Sequence, residues 1–333
     1  MILVTGGTGL VGSHLLYHLS QKNDTIRAIF RTEEKREHVK KIFSFYTDDV
    51  QQHFSKIEWI QADITETPSL EPVFNNVTEV YHCAALVSFK PKDYKKMRQV
   101  NIEGTANLIN FSIDACVKKF CFVSSIAAVG NSISGKLINE ENEWSDADEN
   151  HGYAITKYGA EMEVWRGSQE GLNVVIVNPG VILGSGFWQE GSGKMFTQVN
   201  NGFNFYTEGK TGFVGVKDVV KAMINLMNSD IKNERCILVS ENKSFQEVFN
   251  AIADGLQKKR PSKKVGKLAT AIFWRIDWLI TKLTGKEPLL TKNSAKCAHN
   301  TSFYTSKKII EQLDFEFESI NEVISETCRD FRK

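Results

Sequence analysis

A glycine-rich segment near the amino terminus constrains the fold of this chain more than any other feature. Residues 5–12 read T-G-G-T-G-L-V-G, directly after the apolar residues 1–4 and before a helical pattern that begins at Leu10. Glycines at such a position allow a tight turn and a close approach of strand and helix. The segment therefore predicts a buried strand, a turn and a helix at the start of a βαβ unit.

The first 180 residues continue this alternation of short apolar runs and helical patterns. Strands are predicted at residues 1–5, 25–30, 57–61, 80–83, 120–124 and 174–178, and helices at 10–22, 33–45, 93–117 and 153–169. The alternation predicts an α/β Rossmann fold, which is a doubly wound parallel sheet with helices on both faces. Ligands of such sheets bind at the carboxyl ends of the strands.

The pattern changes towards the carboxyl terminus, which indicates a second domain. A helix is predicted at 218–227 with Asp218 as its N-cap, a strand at 236–239, and mostly helices after Ser244. We expect a dinucleotide-binding domain and a smaller, mostly helical substrate-binding domain. The first would comprise residues 1–183 with 213–240 returning to it, and the second residues 184–212 and 241–333.

The glycine segment itself fits a dinucleotide site, because Gly7-x-Gly9-x-x-Gly12 stands between a strand and a helix as that motif requires. The free N–H groups and the positive dipole end of the following helix attract phosphate. The alternative is a purely structural turn. The predicted contacts to the cofactor here are Gly6, Thr8, Gly9, Leu10, Val11 and Gly12.

The end of the second strand bears on the choice of cofactor. An NAD site places a carboxylate there to bind the ribose 2′-hydroxyl, whereas this chain has Arg31, followed by Lys35 and Arg36. A guanidinium fork suits a 2′-phosphate, so the sequence favours NADP(H) over NAD(H). In the alternative, Arg31 is a solvated surface residue and Glu33 or Glu34 reaches the ribose.

Three residues have the chemistry for proton transfer during hydride transfer. The pattern Y-x-x-x-K occurs three times, but only Tyr153 and Lys157 open a helical run that follows a predicted parallel strand, the one ending near Ser125. A nearby ammonium lowers the pKa of a tyrosine, which otherwise is about 10. We therefore expect Tyr153 to be the acid/base and Ser125 to bind the substrate oxygen. Alone, Ser125 could equally end a strand.

At this point the chain resembles the extended short-chain dehydrogenase/reductases, in the branch of NAD-dependent epimerases and dehydratases. The matching segments occur in family order up to residue 184, and they are T-G-G-T-G-L-V-G, Asp63-Ile64, H-C-A-A-L-V-S (82–88), N-I-E-G-T (101–105), V-S-S (123–125), Y-A-I-T-K (153–157) and N-P-G-V-I-L-G (178–184). The resemblance implies that Asn101 supports the active site. It implies cofactor contacts by Asp63, Ile64, Ala84, Ala85, Ser124, Tyr153, Lys157, Pro179, Gly180 and Val181.

Within the family, the chain most resembles dihydroflavonol reductases and 3β-hydroxysteroid dehydrogenase-like proteins. The resemblance rests on four features, which are Arg31, H-C-A-A-L-V-S-F, P-L-L-T (288–291) and F-Y-T-S-K-K (303–308). The resemblance implies an NADP(H)-dependent enzyme that interconverts a carbonyl and an alcohol on a small substrate. Sugar-nucleotide dehydratases carry an Asp-Glu pair where this chain has Ile126-Ala127-Ala128. An NAD-retaining sugar-nucleotide epimerase, for which Asn178 could contact the sugar, and a cofactor-sensing binding protein stay open as alternatives.

The substrate side of the sequence is less specific. Ser88 belongs to a family segment, and Phe187 and Trp188 follow the sixth strand in a glycine-rich loop that could cover an apolar substrate. We predict Ser88, Ser125, Phe187 and Trp188 as substrate contacts. The alternative for the two aromatic residues is packing inside the second domain.

A basic segment followed by an apolar stripe suggests a second kind of partner. Residues 258–267 read K-K-R-P-S-K-K-V-G-K and precede Leu268, Ile272, Ile276, Leu279 and Leu283 at helical spacing. Such a pattern over 258–283 could contact a membrane surface. The alternative is an ordinary core-facing stripe with solvated charges.

Composition excludes several other classes of protein. There are 41 basic and 40 acidic residues, so the net charge of +1 gives no field for nucleic acid. The six cysteines lack C-x-x-C spacing, so no metal site is expected, and reduced thiols fit a cytoplasmic protein. Neither a signal peptide nor a spanning helix is predicted. The family resemblance makes a homodimer a further expectation.

Overall fold

The fold is built around parallel strands whose side chains are nearly all buried. A computed structural model describes residues 1–22, 25–132, 136–145, 151–284 and 291–333, without the side chains of 283 and 284. Its strands are β1 (Ile2–Thr5), β2 (Ile26–Phe30), β3 (Ile57–Gln61), β4 (Glu79–His82), β5 (Lys119–Val123), β6 (Val174–Pro179), β7 (Val181–Leu183), β8 (Phe205–Tyr206), β9 (Lys210–Gly215), β10 (Glu234–Leu238), β11 (Glu241–Ser244) and β12 (Lys263–Lys264).

Seven of these strands form one parallel sheet in the order β10-β6-β5-β4-β1-β2-β3. The order reverses direction at β1, so the loops after β1 and β4 diverge there and leave a crevice at the carboxyl ends. The predicted Rossmann fold is confirmed, and each of the six strands predicted up to residue 178 lies within one or two residues of its predicted bounds. Such short apolar runs are typical of strands that are covered on both faces.

Helices cover both faces of the sheet and continue into the carboxyl-terminal part. They are α1 (Leu10–Ser20), α2 (Glu33–Phe43), α3 (Val50–Phe54), α4 (Thr67–Leu70), α5 (Tyr94–Met97), α6 (Gly104–Asp114), α7 (Gly152–Gln169), α8 (Gly193–Asn200), α9 (Val216–Asn228), α10 (Phe245–Gly255), α11 (Lys267–Thr284), α12 (Lys292–Cys297), α13 (Lys307–Leu313) and α14 (Ile320–Phe331).

Two local predictions were wrong. The single helix predicted at 93–117 is divided by a π-helical turn, Arg98–Glu103, between α5 and α6. Asp218 is not an N-cap, because the helix begins at Val216 after Gly215. The Asp218 side chain is buried and accepts a hydrogen bond from the Glu318 backbone N–H at 3.0 Å, and burial raises its pKa to about 6.

The second part of the chain packs around a core of its own. The strands β11, β9 and β7 form a three-stranded sheet, and helices α8, α10 and α14 pack near it. Their buried side chains form one apolar cluster, which includes Phe196, Phe213, Ile252, Ile324 and Cys328. Strand β10 lies in the central sheet beside β6, and α9 packs on α1.

In the part of the chain that the structure describes, no helix combines the length and the apolar character needed to cross a bilayer. The six cysteines all lie in described segments and form no disulfide. The segment P-L-L-T at 288–291 falls outside the described residues except for Thr291.

Candidate active site

A cleft of about 2730 Å³ opens at the carboxyl ends of the parallel strands, between the central sheet and the second core. Pro179 and Arg36 are absent from its lining. The remaining residues predicted as catalytic, cofactor or substrate contacts of the reductase line it, namely Gly6, Thr8, Gly9, Leu10, Val11, Gly12, Arg31, Lys35, Asp63, Ile64, Ala84, Ala85, Ser88, Ser124, Ser125, Tyr153, Lys157, Gly180, Val181, Phe187 and Trp188.

The glycine turn has the shape that a dinucleotide requires. Gly6 adopts φ +68°, and a Cβ there would overlap the backbone of Ala84. A Cβ at Gly12 would overlap the carbonyl of Gly6, whereas a Cβ at Gly9 would meet only that carbonyl, at 3.5 Å. Gly9 also precedes α1 and supplies no capping side chain, so the first N–H groups of α1 are left for a ligand. The turn therefore fits the pyrophosphate of a dinucleotide.

This geometry predicts different outcomes for two alanine substitutions. Gly9→Ala should leave the free energy of unfolding within about 1 kcal/mol of wild type, because its methyl group would make only an ordinary contact with the Gly6 carbonyl. It should still weaken dinucleotide binding by about tenfold or more, because the methyl group would occupy the space beside α1 that the pyrophosphate needs. Gly12→Ala should in addition lower the free energy of unfolding by about 1–3 kcal/mol, because the methyl group meets backbone. Urea unfolding and nucleotide titration measure both, and equal stability losses would contradict the assignment.

At the end of β2, the structure separates the three predicted basic contacts. Arg31 and Lys35 are exposed and line the cleft, and so does Glu34. The Arg36 guanidinium instead lies 2.8 Å from Glu33 and 3.3 Å from Glu37, and it stacks over the ring of Phe30. The structure therefore does not bring Arg36 to the site.

Asp63 lines the same cleft two residues after β3, the strand that pairs with β2. Its Oδ1 accepts hydrogen bonds from the N–H and the hydroxyl of Thr65. Burial alone would raise the pKa of Asp63, but these bonds and the charge of Arg31 keep it below its usual range. An ionised carboxylate therefore lines the cleft at this predicted cofactor contact, next to Ile64.

Ser125, Tyr153 and Lys157 come together where β5 meets α7. Lys157 is buried, donates a hydrogen bond to the Val123 carbonyl at 2.7 Å, and its Nζ stands 4.2 Å from the centroid of the Phe122 ring. Ser125 accepts a hydrogen bond from the Ala127 N–H at 3.1 Å. All three residues line the cleft, and the side chains of Ser125 and Tyr153 are hydrogen-bonded to each other.

Burial dominates the ionisation of the tyrosine and the lysine. It raises the pKa of Tyr153, and a hydrogen bond with Ser125 acts in the opposite direction. It lowers the pKa of Lys157 to about 7, although Glu161 and Cys83 act to raise it. The prediction that a nearby ammonium lowers the pKa of Tyr153 was therefore wrong, because burial raises it instead. The neutral phenol of Tyr153 suits proton donation to a substrate oxygen.

Asn101 braces this arrangement from the π-helical turn. Its side chain exchanges hydrogen bonds with the backbone of Leu86 at 2.7 and 3.0 Å and donates to the Thr156 hydroxyl at 3.1 Å. Thr156 in turn donates to the carbonyl of Tyr153. The amide therefore connects the loop after β4 to the helix that carries the tyrosine.

More than half of the chain matches the model of a known protein family. Residues 4–231 match the model of an NAD-binding family described as male sterility protein. This chain belongs to that family. It is an NAD(P)-dependent enzyme of the extended short-chain dehydrogenase/reductase type.

The relatives of this extended short-chain dehydrogenase/reductase differ in chemistry. A putative dihydroflavonol 4-reductase of Synechocystis is 22% identical over 99% of this chain and 94% of its own. A UDP-glucose 4-epimerase of Vibrio cholerae is 28% identical over 85% of each chain. The crystal structure of gox2253 has a TM-score of 0.82 at 24% identity and covers 100% of this chain and 98% of its own.

A buried polar network of this short-chain dehydrogenase/reductase escaped the sequence analysis. Glu161, one turn after Lys157 and fully buried, accepts hydrogen bonds from Ser124 at 2.6 Å and Asn178 at 2.9 Å, and pairs with Arg235 at 3.2 Å. The Ser124 hydroxyl is thus engaged behind the site. Asn178 is buried and does not line the cleft, so it is not placed to contact a sugar.

Two histidines near the site were also missed. His82 is buried between the hydroxyls of Thr5 and Thr105, at 2.7 and 2.9 Å, and burial lowers its pKa to about 3. His151 lines the cleft parallel to the Tyr153 ring, with its Nδ1 accepting the Ala154 N–H as cap of α7. His151 could have been predicted from the sequence, because it stands two residues before Tyr153.

The predicted substrate contacts have mixed surroundings. Phe187 packs edge-on against His38 of α2, and Trp188 packs against Phe196 and Phe331 in the second core. The Ser88 hydroxyl donates to Asp93 at 2.6 Å. The contacts of Trp188 agree with the alternative that it packs inside the second domain. Phe187 instead lies next to α2, the helix that follows β2.

Proposed function

We propose that this enzyme is an NADP(H)-dependent reductase/dehydrogenase that interconverts a carbonyl and an alcohol, with Tyr153 as the proton donor and acceptor. The observation that supports it most is that Arg31, directly after β2, and Lys35, in the first turn of α2, line the same cleft as Ser125, Tyr153 and Lys157. Cationic side chains at that strand end suit a 2′-phosphate.

The chain's own groups divide the work in reduction. The nicotinamide, when bound, supplies the hydride. Ser125 would hydrogen-bond the carbonyl oxygen, and the neutral phenol of Tyr153 would give it a proton as the alcohol forms. Lys157, fixed by the Val123 carbonyl, would hold the nicotinamide ribose. Its ammonium would also stabilise the negative charge left on the Tyr153 oxygen after the proton is donated.

Arg31 provides the test of cofactor choice. Arg31→Asp should weaken NADPH binding by about tenfold to a hundredfold while NADH binding changes little, because a hydrogen bond to a charged group contributes about 1.5–3 kcal/mol. Arg36→Gln is the matched control, since that guanidinium is occupied by Glu33 and Glu37. Nucleotide titration by fluorescence measures both variants. An unchanged NADPH affinity in Arg31→Asp, or an equal loss in Arg36→Gln, contradicts the proposal.

The second candidate is an NAD-retaining sugar-nucleotide epimerase. The observation in its favour is that Glu34 also lines the cleft near Arg31 and could bind a ribose 2′-hydroxyl. The nucleotide that co-purifies with the protein separates the two candidates. Tightly retained NAD would overturn the reductase proposal, and an empty site with preferential NADPH binding would support it.

We further propose that residues 184–212 and 241–333 form the substrate-binding domain and residues 1–183 with 213–240 the dinucleotide-binding domain. The separate core around Phe196 and Ile252 supports this division. An apolar substrate is favoured by the side chains that this part brings to the cleft, which are Met195, Phe203, Phe205, Phe245, Phe249, Val265, Phe273, Ile276 and Ile280.

A further inference from the structure

Helix α11 carries an unusual amount of exposed apolar surface. Half of the exposed large apolar side chains in the described part of the chain belong to it, and they are Leu268 (78% exposed), Ile272 (51%), Phe273 (49%), Ile276 (49%), Trp278 (55%), Leu279 (50%) and Ile280 (49%). Four members of the sequence-predicted stripe are therefore not core residues, and the side chain of Leu283 lies outside the described part. A continuous apolar surface of this kind marks an interaction site.

Most of the charged residues in and just before this helix are basic. Six exposed basic residues precede or open it, namely Lys258, Lys259, Arg260, Lys263, Lys264 and Lys267. Arg260 pairs with Asp254 and Lys264 with Glu208. Arg275 and Lys282 lie on the helix itself, and its one acidic residue, Asp277, lines the cleft.

Basic and aromatic side chains also alternate on the helix in contact with each other. The Lys282 Nζ lies 5.4 Å from the centroid of the Trp278 ring, and the Arg275 guanidinium lies 4.6 Å from that of Trp274. Such side chains suit the boundary between headgroups and acyl chains, where the ring is partly apolar and the charge remains in water.

We propose that the docking surface formed by residues 258–267 and α11 binds an anionic phospholipid bilayer, with α11 lying in the interface. Apolar side chains next to a positive segment are complementary to acyl chains beneath negative headgroups. A second copy of this chain would instead bring the same positive segment against it in a symmetric contact. Phe273, Ile276 and Ile280 belong both to this surface and to the cleft, so the cleft mouth would face the bilayer.

Co-sedimentation of the full chain with vesicles tests the proposal. Binding is expected to vesicles of mixed phosphatidylglycerol and phosphatidylcholine, but not to phosphatidylcholine alone, and it should weaken as salt rises. Lys258→Glu with Lys259→Glu should lower the partition coefficient at least about tenfold, since each basic residue contributes about 1 kcal/mol. Ile272→Ser with Leu279→Ser, neither of which lines the cleft, should have an effect of similar size.

The matched control is Lys118→Glu with Lys232→Glu, which reverses two exposed lysines away from the docking surface and should leave vesicle binding unchanged. Circular dichroism melting of every variant confirms folding. No co-sedimentation at low salt, or equal losses in the control pair, overturns the proposal. Self-association by sedimentation velocity that Ile272→Ser with Leu279→Ser abolishes, without vesicle binding, also overturns it and assigns the surface to a second copy.

Discussion

Replacing Tyr153 by phenylalanine is expected to lower turnover by roughly 10²–10⁴-fold, the usual contribution of a positioned acid or base. The ring keeps its packing beside His151 and Phe89, so NADPH affinity should stay within about twofold of wild type. Steady-state assays against a panel of aldehydes and ketones, with parallel nucleotide titration, measure the two quantities separately.

Tyr158→Phe is the matched control for this substitution. Tyr158 lies on the same helix and stacks on Trp144 with ring centroids 4.4 Å apart, a contact that phenylalanine preserves. Its turnover should remain close to that of wild type. Retained activity in Tyr153→Phe, or an equal loss in Tyr158→Phe, would show that the acid/base is another group.

Replacing Glu161 by leucine should lower the free energy of unfolding by about 3–5 kcal/mol, the range measured when one partner of a buried ion pair is removed. The substitution would leave the mostly buried guanidinium of Arg235 without its carboxylate and would take the acceptor from Ser124 and Asn178. Urea unfolding followed by circular dichroism gives the difference directly.

Glu163→Leu provides the comparison on the same helix. Glu163 pairs with Arg166 at 2.9 Å near the surface, where such pairs contribute at most about 1 kcal/mol. The Glu163 variant should therefore unfold at nearly the same urea concentration as wild type. Equal stability losses in the two variants would mean that the Glu161 pair adds nothing beyond helix packing.

Local patterns were sufficient for the sheet and for much of the cleft. Short apolar runs and the glycine turn have physical signatures within a few residues, so β1 to β6 and the turn over 5–12 could be predicted. The position of Tyr153 and Lys157 at the cleft followed from the rule that parallel sheets bind ligands at their carboxyl ends.

Long-range contacts explain what could not be predicted. Glu161 and Arg235 are 74 residues apart, so no local pattern pairs them. The sequence predicted the same cofactor contact for Arg36 as for Arg31. Arg36 instead lies one turn into α2, where its guanidinium pairs with Glu33 and Glu37. In α11 the period of the apolar residues is helical, yet the period does not say whether a helix face meets the core or is left uncovered.

The path of the chain has a consequence for how the molecule can be divided. After β7 and β9 of the smaller sheet, the chain returns through α9 to add β10 at the edge of the central sheet, and β11 then rejoins the smaller sheet. Apolar side chains of α9, among them Val219, Met223 and Leu226, share one core with β6 and α1. A fragment cut at residue 183 would expose that core and lose Arg235 opposite Glu161. The two parts should therefore not survive as separate fragments, and heat should melt the whole protein in a single cooperative transition.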